Sequence, residues 1–194
     1  MKASEACSPD ELLTRASTGE AAAFAGLVRR YQRTVYSIAL RMLADRHRAE
    51  DLAQEVFLQL YRSLDAIGSD AHLAFWLRKV TVNRAIDRIR QEARHDNEPL
   101  TEADAVVDEA GEIDPLLQRR MAELVAQLPP AARAVLVLRY QEDLDPVDIA
   151  STLDMPINTV KSHLKRSLTS LRARVLGAAI VDDDIRPSVS EPSR

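Results

Sequence analysis

Asp145-Pro146-Val147-Asp148-Ile149-Ala150-Ser151-Thr152-Leu153-Asp154-Met155-Pro156-Ile157-Asn158-Thr159-Val160-Lys161-Ser162-His163-Leu164-Lys165-Arg166 reads as two helices broken by a three-residue turn. Asp145 can accept from the orphan amides of the first helix, Pro146 fits its first turn, and Asp148 sits at the positive end of its dipole. That helix is expected to end at Leu153. Asp154-Met155-Pro156 forms the turn, because a residue before proline avoids the α region and Asp tolerates a left-handed conformation. Asn158 is expected to cap the second helix. At ~100° per residue, Val160, Leu164, Leu168, Leu171 and Val175 form one apolar stripe, and Asn158, Lys161, Ser162, Lys165, Arg166, Thr169 and Arg172 fill the opposite side. An ordinary solvated face would mix both signs of charge, whereas this one has four cations and no acid. It suits a helix that enters a DNA groove.

Outward from this stretch, the composition favours helices throughout. Of 194 residues only five are glycine and 4% are aromatic, and no run alternates apolar with polar residues as a half-buried strand would. The expected fold is all-α: two small helical domains joined by an acidic flexible linker, the second a helix-turn-helix domain. No stretch approaches ~18 apolar residues and Met1 to Glu5 opens no signal-peptide core, so a cytosolic protein without membrane insertion is expected. The single cysteine, Cys7, supports neither a disulfide framework nor a thiolate metal site, and it is given no role.

The net charge of −4 averages segments of opposite sign. Residues 24–95 carry 13 Lys and Arg against eight Asp and Glu, residues 115–181 nine against six, and residues 96–114 eight acids with no base. A chain acidic overall should bind DNA feebly alone, since non-specific affinity comes from phosphate neutralisation.

Ser8-Pro9-Asp10-Glu11 is a capping box that opens a short helix, closed by Gly19. Phe24, Leu27, Val28, Tyr31, Val35, Ile38 and Met42 recur at helical spacing in a long core-facing helix. Asp45 caps a third helix running to about Leu64, and Ala71 or His72 starts a fourth that ends near Arg94. These place a first domain at 1–95. Residues 96–114 lack the apolar bulk to order themselves and form the linker. Asp114-Pro115 starts another helix, and Leu128-Pro129-Pro130 breaks it before Ala131 to Leu138 begins the next. The second domain spans 115–181, and residues 182–194 read as a disordered tail.

On the third helix Leu52, Val56, Leu60 and Leu64 form the core face, widened by Phe57. Asp51, Gln54, Glu55, Leu58 and Arg62 occupy the other side. Leu58 gains nothing from water, so it marks either a protein contact or a stray surface leucine. The fourth helix mixes His72, Phe75, Trp76, Arg78, Lys79, Asn83, Arg84, Arg88 and Arg90, a combination that suits unstacked bases and phosphates. Trp76 shares a stripe with Val80 and is read as core before it is read as a stacking platform.

On these residues the chain resembles a sigma factor of the extracytoplasmic-function (ECF) group of the sigma-70 family, over roughly residues 20 to 176. Arg48-Ala49-Glu50-Asp51-Leu52-Ala53-Gln54-Glu55-Val56-Phe57-Leu58 is similar to the family's polymerase-binding stretch D-A-E-D-L-x-Q-E-x-F-L. Trp76-Leu77 with Asn83 and Asp87 resembles its −10 segment W-L-x-x-I-A-x-N-x-x-x-D. Leu128-Pro129, Arg133, Val135, Leu138, Ile149-Ala150 and Thr159-Val160-Lys161-Ser162 resemble its −35-reading domain. The resemblance implies that Glu50, Asp51, Gln54, Glu55 and Leu58 dock on the clamp helices of the large polymerase subunit, with its flap as a further contact.

It also implies that the Ile67 to Leu73 loop captures a flipped −10 base, Ser69, Asp70, His72, Arg78, Lys79, Asn83, Arg84 and Arg88 forming the −10 surface. Asn158, Thr159, Lys161, Ser162, His163, Lys165 and Arg166 would enter the major groove at −35. Core RNA polymerase and promoter DNA are the implied partners, an anti-sigma factor is admitted as a third, and no cofactor, metal or catalytic residue is implied. The chain departs from the family pattern at Arg48, where an acid is usual, at Asp154 in place of a turn glycine, at His163 in place of arginine, and at Ser167-Leu168.

Two other readings compete. A free-standing helix-turn-helix regulator explains the second half but leaves Asp51, Gln54, Glu55 and Leu58 without a task. A sigma-like decoy that binds only an anti-sigma factor has no use for the cationic helix. An enzyme is disfavoured, because His47, His72, His95 and His163 lack metal-ligand spacing and no glycine-rich phosphate loop exists.

Overall fold

The computed structural model describes residues 8–95 and 115–183. Its elements are α1 (Pro9–Ser17), α2 (Ala21–Leu43), α3 (Arg46–Ser63), a 3-10 turn (Leu64–Ala66), α4 (Asp70–His95), α5 (Pro115–Ala126), α6 (Pro130–Tyr140), α7 (Pro146–Thr152) and α8 (Ile157–Asp183). No strand occurs among the described residues. The acidic linker at 96–114, Cys7 and the tail beyond Asp183 lie outside them.

Local chemistry sets the helix ends. Ser8 and Glu11 exchange hydrogen bonds as a capping box at 2.8 and 3.2 Å. Gly19 turns left-handed at φ 90° after α1. The Asp45 carboxylate accepts from the Arg48 amide at 2.8 Å, and Asp145 accepts from Val147 and Asp148 at 2.7 and 2.9 Å. Asp154 adopts the left-handed conformation expected of it, at φ 48°.

Three ends differ from expectation. Helix α8 starts at Ile157, and Asn158 lies inside it, because the Pro156 carbonyl already accepts from Thr159 and Val160. Helix α4 starts at Asp70, with Ser69 as the cap: its hydroxyl accepts from the His72 amide at 3.2 Å. Helix α8 also takes in Asp182 and Asp183, which the sequence reading gave to the tail.

Helices α2, α3 and α4 pack around Leu27, Ile38, Met42, Leu52, Leu60, Leu73 and Leu77, all fully buried, and α1 covers one end through Leu13 and Ala16. Gly26 permits this cover, since a Cβ there would sit 3.1 Å from Leu12 Cδ2. The same core continues into the second domain through Ala134, Val135, Val137, Leu138, Ile149 and Val160. A smaller cluster of Leu128, Leu136 and Leu171 closes α6 against α8.

The periodicity gave no sign that the two domains share a core. Arg133 makes the join specific: nearly sealed from solvent, its guanidinium donates to the Met42 carbonyl in the last turn of α2 and, at 3.5 Å, to Leu128 O. A cation there satisfies an orphan carbonyl at the negative end of the α2 dipole. Burial, and then the charge of Arg48, push the Arg133 pKa down to about 10, so it keeps its charge at neutral pH. Gln141 adds a 2.7 Å hydrogen bond to Ser37 on α2.

Candidate functional site

The polar row of α3 divides between two grooves. Glu50, Gln54 and Leu58 look toward α2, where with Val28, Tyr36 and Tyr61 they border an open groove of about 770 Å³. Leu58 is 60% exposed and Tyr61 57%, so this groove presents apolar surface to water. Asp51 is exposed beside it. Glu55 turns the other way: its carboxylate pairs with Arg84 at 3.0 Å and Arg88 at 2.7 Å on α4. One residue of the expected polymerase row therefore restrains two of the expected −10 cations.

A second groove, about 840 Å³, runs between α3 and α4, and His72, Phe75, Trp76, Lys79, Asn83 and Arg84 are among its lining. Trp76 is half-buried, packs against the core and still borders this groove, so its two readings coexist. Arg84 also donates to Gln59 at 2.9 Å, and Arg88 to the Arg48 carbonyl at 3.1 Å. The unusual Arg48 pairs with Glu92 of α4. Near the start of α4, the exposed His72 accepts at Nδ1 from the Gly68 amide at 3.3 Å. Asp70 pairs with Arg30 at 3.8 Å and takes the hydroxyl of Tyr31.

Arg78 and Lys79 are bound to the second domain. Arg78 meets Glu142 at 2.8 Å, and Lys79 meets Asp154 at 2.8 Å while lying 5.8 Å from the Phe75 ring centre. The turns around α7 thus lie across part of the expected −10 surface.

On α8 the expected segregation holds. Asn158, Lys161, Ser162, Lys165, Arg166, Thr169 and Arg172 are all exposed, Thr159 and His163 are half-buried, and Val160 is sealed. Lys161 and Lys165 make no ion pair among the described residues; the Arg166 guanidinium bonds only its own helix, at Ser162 O.

The structure brings the −10 candidates together along α4 and the −35 candidates along α8, and it splits the polymerase candidates between two grooves. Sequence reasoning missed Val28, Gln32 and Tyr36, which complete the α2 wall at a spacing of four, and Gln59 and Gln91, which extend the α3–α4 groove. The four-residue step in α2 was legible, but it ran beside a stronger core stripe. Among the described residues no group of three or more His, Cys, Asp or Glu gathers to hold a metal ion, and no helix is long and apolar enough to cross a membrane.

Comparison with known proteins places both halves. Residues 27–95 match Sigma-70 region 2, and residues 118–171 match Sigma-70, region 4. The ECF RNA polymerase sigma factor SigW of Bacillus subtilis is 31% identical over 170 residues, which cover 81% of this chain and 91% of that protein. The RNA polymerase sigma-H factor of Pseudomonas aeruginosa is 28% identical over 170 residues, 81% and 88% of the two chains. Among solved structures, CnrH in complex with the cytosolic domain of CnrY superimposes with a TM-score of 0.65 at 22% identity, over 88% of this chain and 99% of that one. The sigma factor RpoE in complex with the anti-sigma factor NepR from Bartonella quintana gives 0.64 at 21% identity, over 79% and 96%. These two share the fold.

Proposed function

The chain belongs to the ECF group of the sigma-70 family and is an RNA polymerase sigma factor, and on that premise we propose how its surfaces divide the work. The α2–α3 groove, with Glu50, Gln54, Leu58 and Tyr61, and the neighbouring Asp51 dock on the clamp helices of the large polymerase subunit. The observation that carries this is Leu58, a large apolar side chain 60% exposed at the lip of an apolar groove. The 67–69 loop with the first turn of α4, and the α3–α4 groove, capture and hold the opened −10 strand, with Ser69, His72, Asn83, Arg84 and Arg88 on that path. Asn158, Thr159, Lys161, Ser162, Lys165 and Arg166 on α8 enter the major groove at −35, with His163 at its edge, and the second domain rests on the polymerase flap. The chain works in the cytoplasm as a non-enzymatic subunit, the chemistry being the polymerase's. An anti-sigma factor is its natural antagonist, as NepR is found with the similarly folded RpoE.

Run-off transcription by core polymerase with and without the chain tests the whole reading. A promoter-dependent transcript is expected only when the chain is present, and none on a genomic promoter library overturns it. Leu58→Asp and Asp51→Lys test the docking face. Each should weaken holoenzyme assembly by about tenfold or more, the scale of a buried apolar anchor. Glu55 makes a poorer probe, because reversing its charge also releases Arg84 and Arg88.

A further inference from the structure

The loop that precedes α4 is held from outside by two helices. Its backbone runs from the 3-10 turn through Ile67, Gly68 and Ser69, and Ile67 is buried with its amide on the Leu64 carbonyl at 3.0 Å. Gly68 and Ser69 are tied to His72 at 3.3 and 3.2 Å. Ile67 also seats the start of the loop in the hydrophobic core, which leaves its far end to be fixed. Asp70 does that. Its amide donates to the Asp10 carboxylate of α1 at 2.7 Å, across sixty residues of sequence. Its own carboxylate accepts the Tyr31 hydroxyl of α2 and faces Arg30 at 3.8 Å.

Each contact has a physical reason. The Asp70 amide is one of the orphan donors at the start of α4, and a carboxylate from another helix satisfies it and favours the positive end of the dipole. Burial, and then the bond to Asp70, push the Tyr31 phenol above its ordinary pKa, so it stays a donor. A free Asp70 carboxylate on this surface would repel phosphate; held by Tyr31 and Arg30 it is turned to internal use. Helix α1 lies outside the residues that match Sigma-70 region 2, yet Asp10 reaches the loop from its first turn.

We propose that Asp10 and Tyr31 are positioning residues for −10 opening: together they clamp Asp70 and so hold the 67–69 loop and the first turn of α4 where they can receive an unstacked base. The inference rests on the reading of that loop as the base-capture element, and it reassigns Asp70 from a DNA contact to the clamped post of the loop.

The test uses reconstituted holoenzyme carrying Asp10→Ala, Asp10→Asn or Tyr31→Phe, and a promoter with a fluorescent base analogue in the −10 element. Asp10→Ala and Tyr31→Phe should slow base unstacking and run-off transcription on duplex promoter by about tenfold, the scale of a hydrogen bond involving a charged group. On a template already mismatched across −10 the loss should shrink to about twofold, because opening no longer has to be driven. Asp10→Asn keeps a carbonyl acceptor and should recover most of the rate. Core-binding affinity should stay at the parent value in all three.

Parent-like opening by Asp10→Ala and Tyr31→Phe overturns the proposal. Equal losses on duplex and mismatched templates also overturn it, since they indicate a fold or assembly defect. His72→Ala, run in parallel, separates the two ideas. If it abolishes the base signal while Asp10→Ala does not, the clamp alone is wrong; if it leaves the signal unchanged, the base-capture reading fails and the clamp with it.

Discussion

Helix α4, with 26 residues, and helix α8, with 27, both carry the cations proposed above for nucleic acid, and they keep them in opposite states. On α4, Arg78, Lys79, Arg84 and Arg88 each face an acid from elsewhere in the chain: Glu142, Asp154 and, for the last two, Glu55. On α8, Lys161 and Lys165 face water, with no acid paired to them among the described residues. A paired cation must give up its partner before it neutralises a phosphate, so it gains only the difference between two charge contacts. A free cation releases counterions at once. On the roles proposed above, α8 would meet double-stranded DNA before α4 contributes.

The strongest way to break this contrast is to separate the domains. Arg133→Ala removes the guanidinium that joins α6 to the end of α2 and strands the Met42 carbonyl. About 3 kcal/mol of stability should be lost, from a charged hydrogen bond plus packing. That corresponds to a fall in Tm of roughly 6–12 °C for a chain of this size, read by calorimetry. Arg133→Met should lose less, because it keeps the volume. Equal Tm values for parent and Arg133→Ala would mean that the join carries no load.

Next in size is the α8 face itself. Lys165→Ala with Arg166→Ala should weaken holoenzyme binding to a promoter with an intact −35 element by about 100-fold, each base or phosphate contact carrying roughly 1–3 kcal/mol. Arg78→Ala with Lys79→Ala should cost less than about tenfold in the same competition assay, since both cations begin paired. A reversed ranking would end the comparison.

A smaller change sharpens it. Glu142→Gln with Asp154→Asn frees Arg78 and Lys79 without removing either. The affinity of the free chain for duplex DNA should rise about fivefold at low salt, with a steeper salt dependence, as measured by fluorescence anisotropy. No change would mean that the two cations were already available through exchange. The smallest effect is expected at Asp154→Gly, which relieves a left-handed residue while deleting the partner of Lys79. Stability should shift by less than about 1 kcal/mol in either direction, and comparison with Asp154→Asn separates strain from charge.

What the sequence made legible was whatever repeats along one helix or caps its end. The Asp145 cap, the left-handed Asp154, the clean division of α8 and the exposed Leu58 all follow from neighbours within four positions. The grouping of Glu55 with Asp51, Gln54 and Leu58 comes from the same spacing, and there spacing is insufficient: α4 supplies two guanidiniums that no local pattern announces. The common core of the two domains was hidden for a related reason. Leu138, Ile149 and Val160 are apolar whether they pack within their own domain or also against α2 and α4. Periodicity puts the start of α4 at Ala71 or His72 and so hides the cap at Ser69, and residue type favours Asn158 over the backbone carbonyl that starts α8. The link from Asp10 to Asp70 spans sixty positions and lies beyond any reading by periodicity.

Helix α2 runs for 23 residues, about 34 Å at 1.5 Å per residue. Val28 and Tyr36 wall a groove along it, Tyr31 at its middle secures one loop, Ser37 takes Gln141, and Met42 at its far end receives Arg133. Four attachments on one stiff rod share a single set of coordinates. A tilt that suits one of them displaces the rest, so this beam sets the tolerance to which the whole assembly is built.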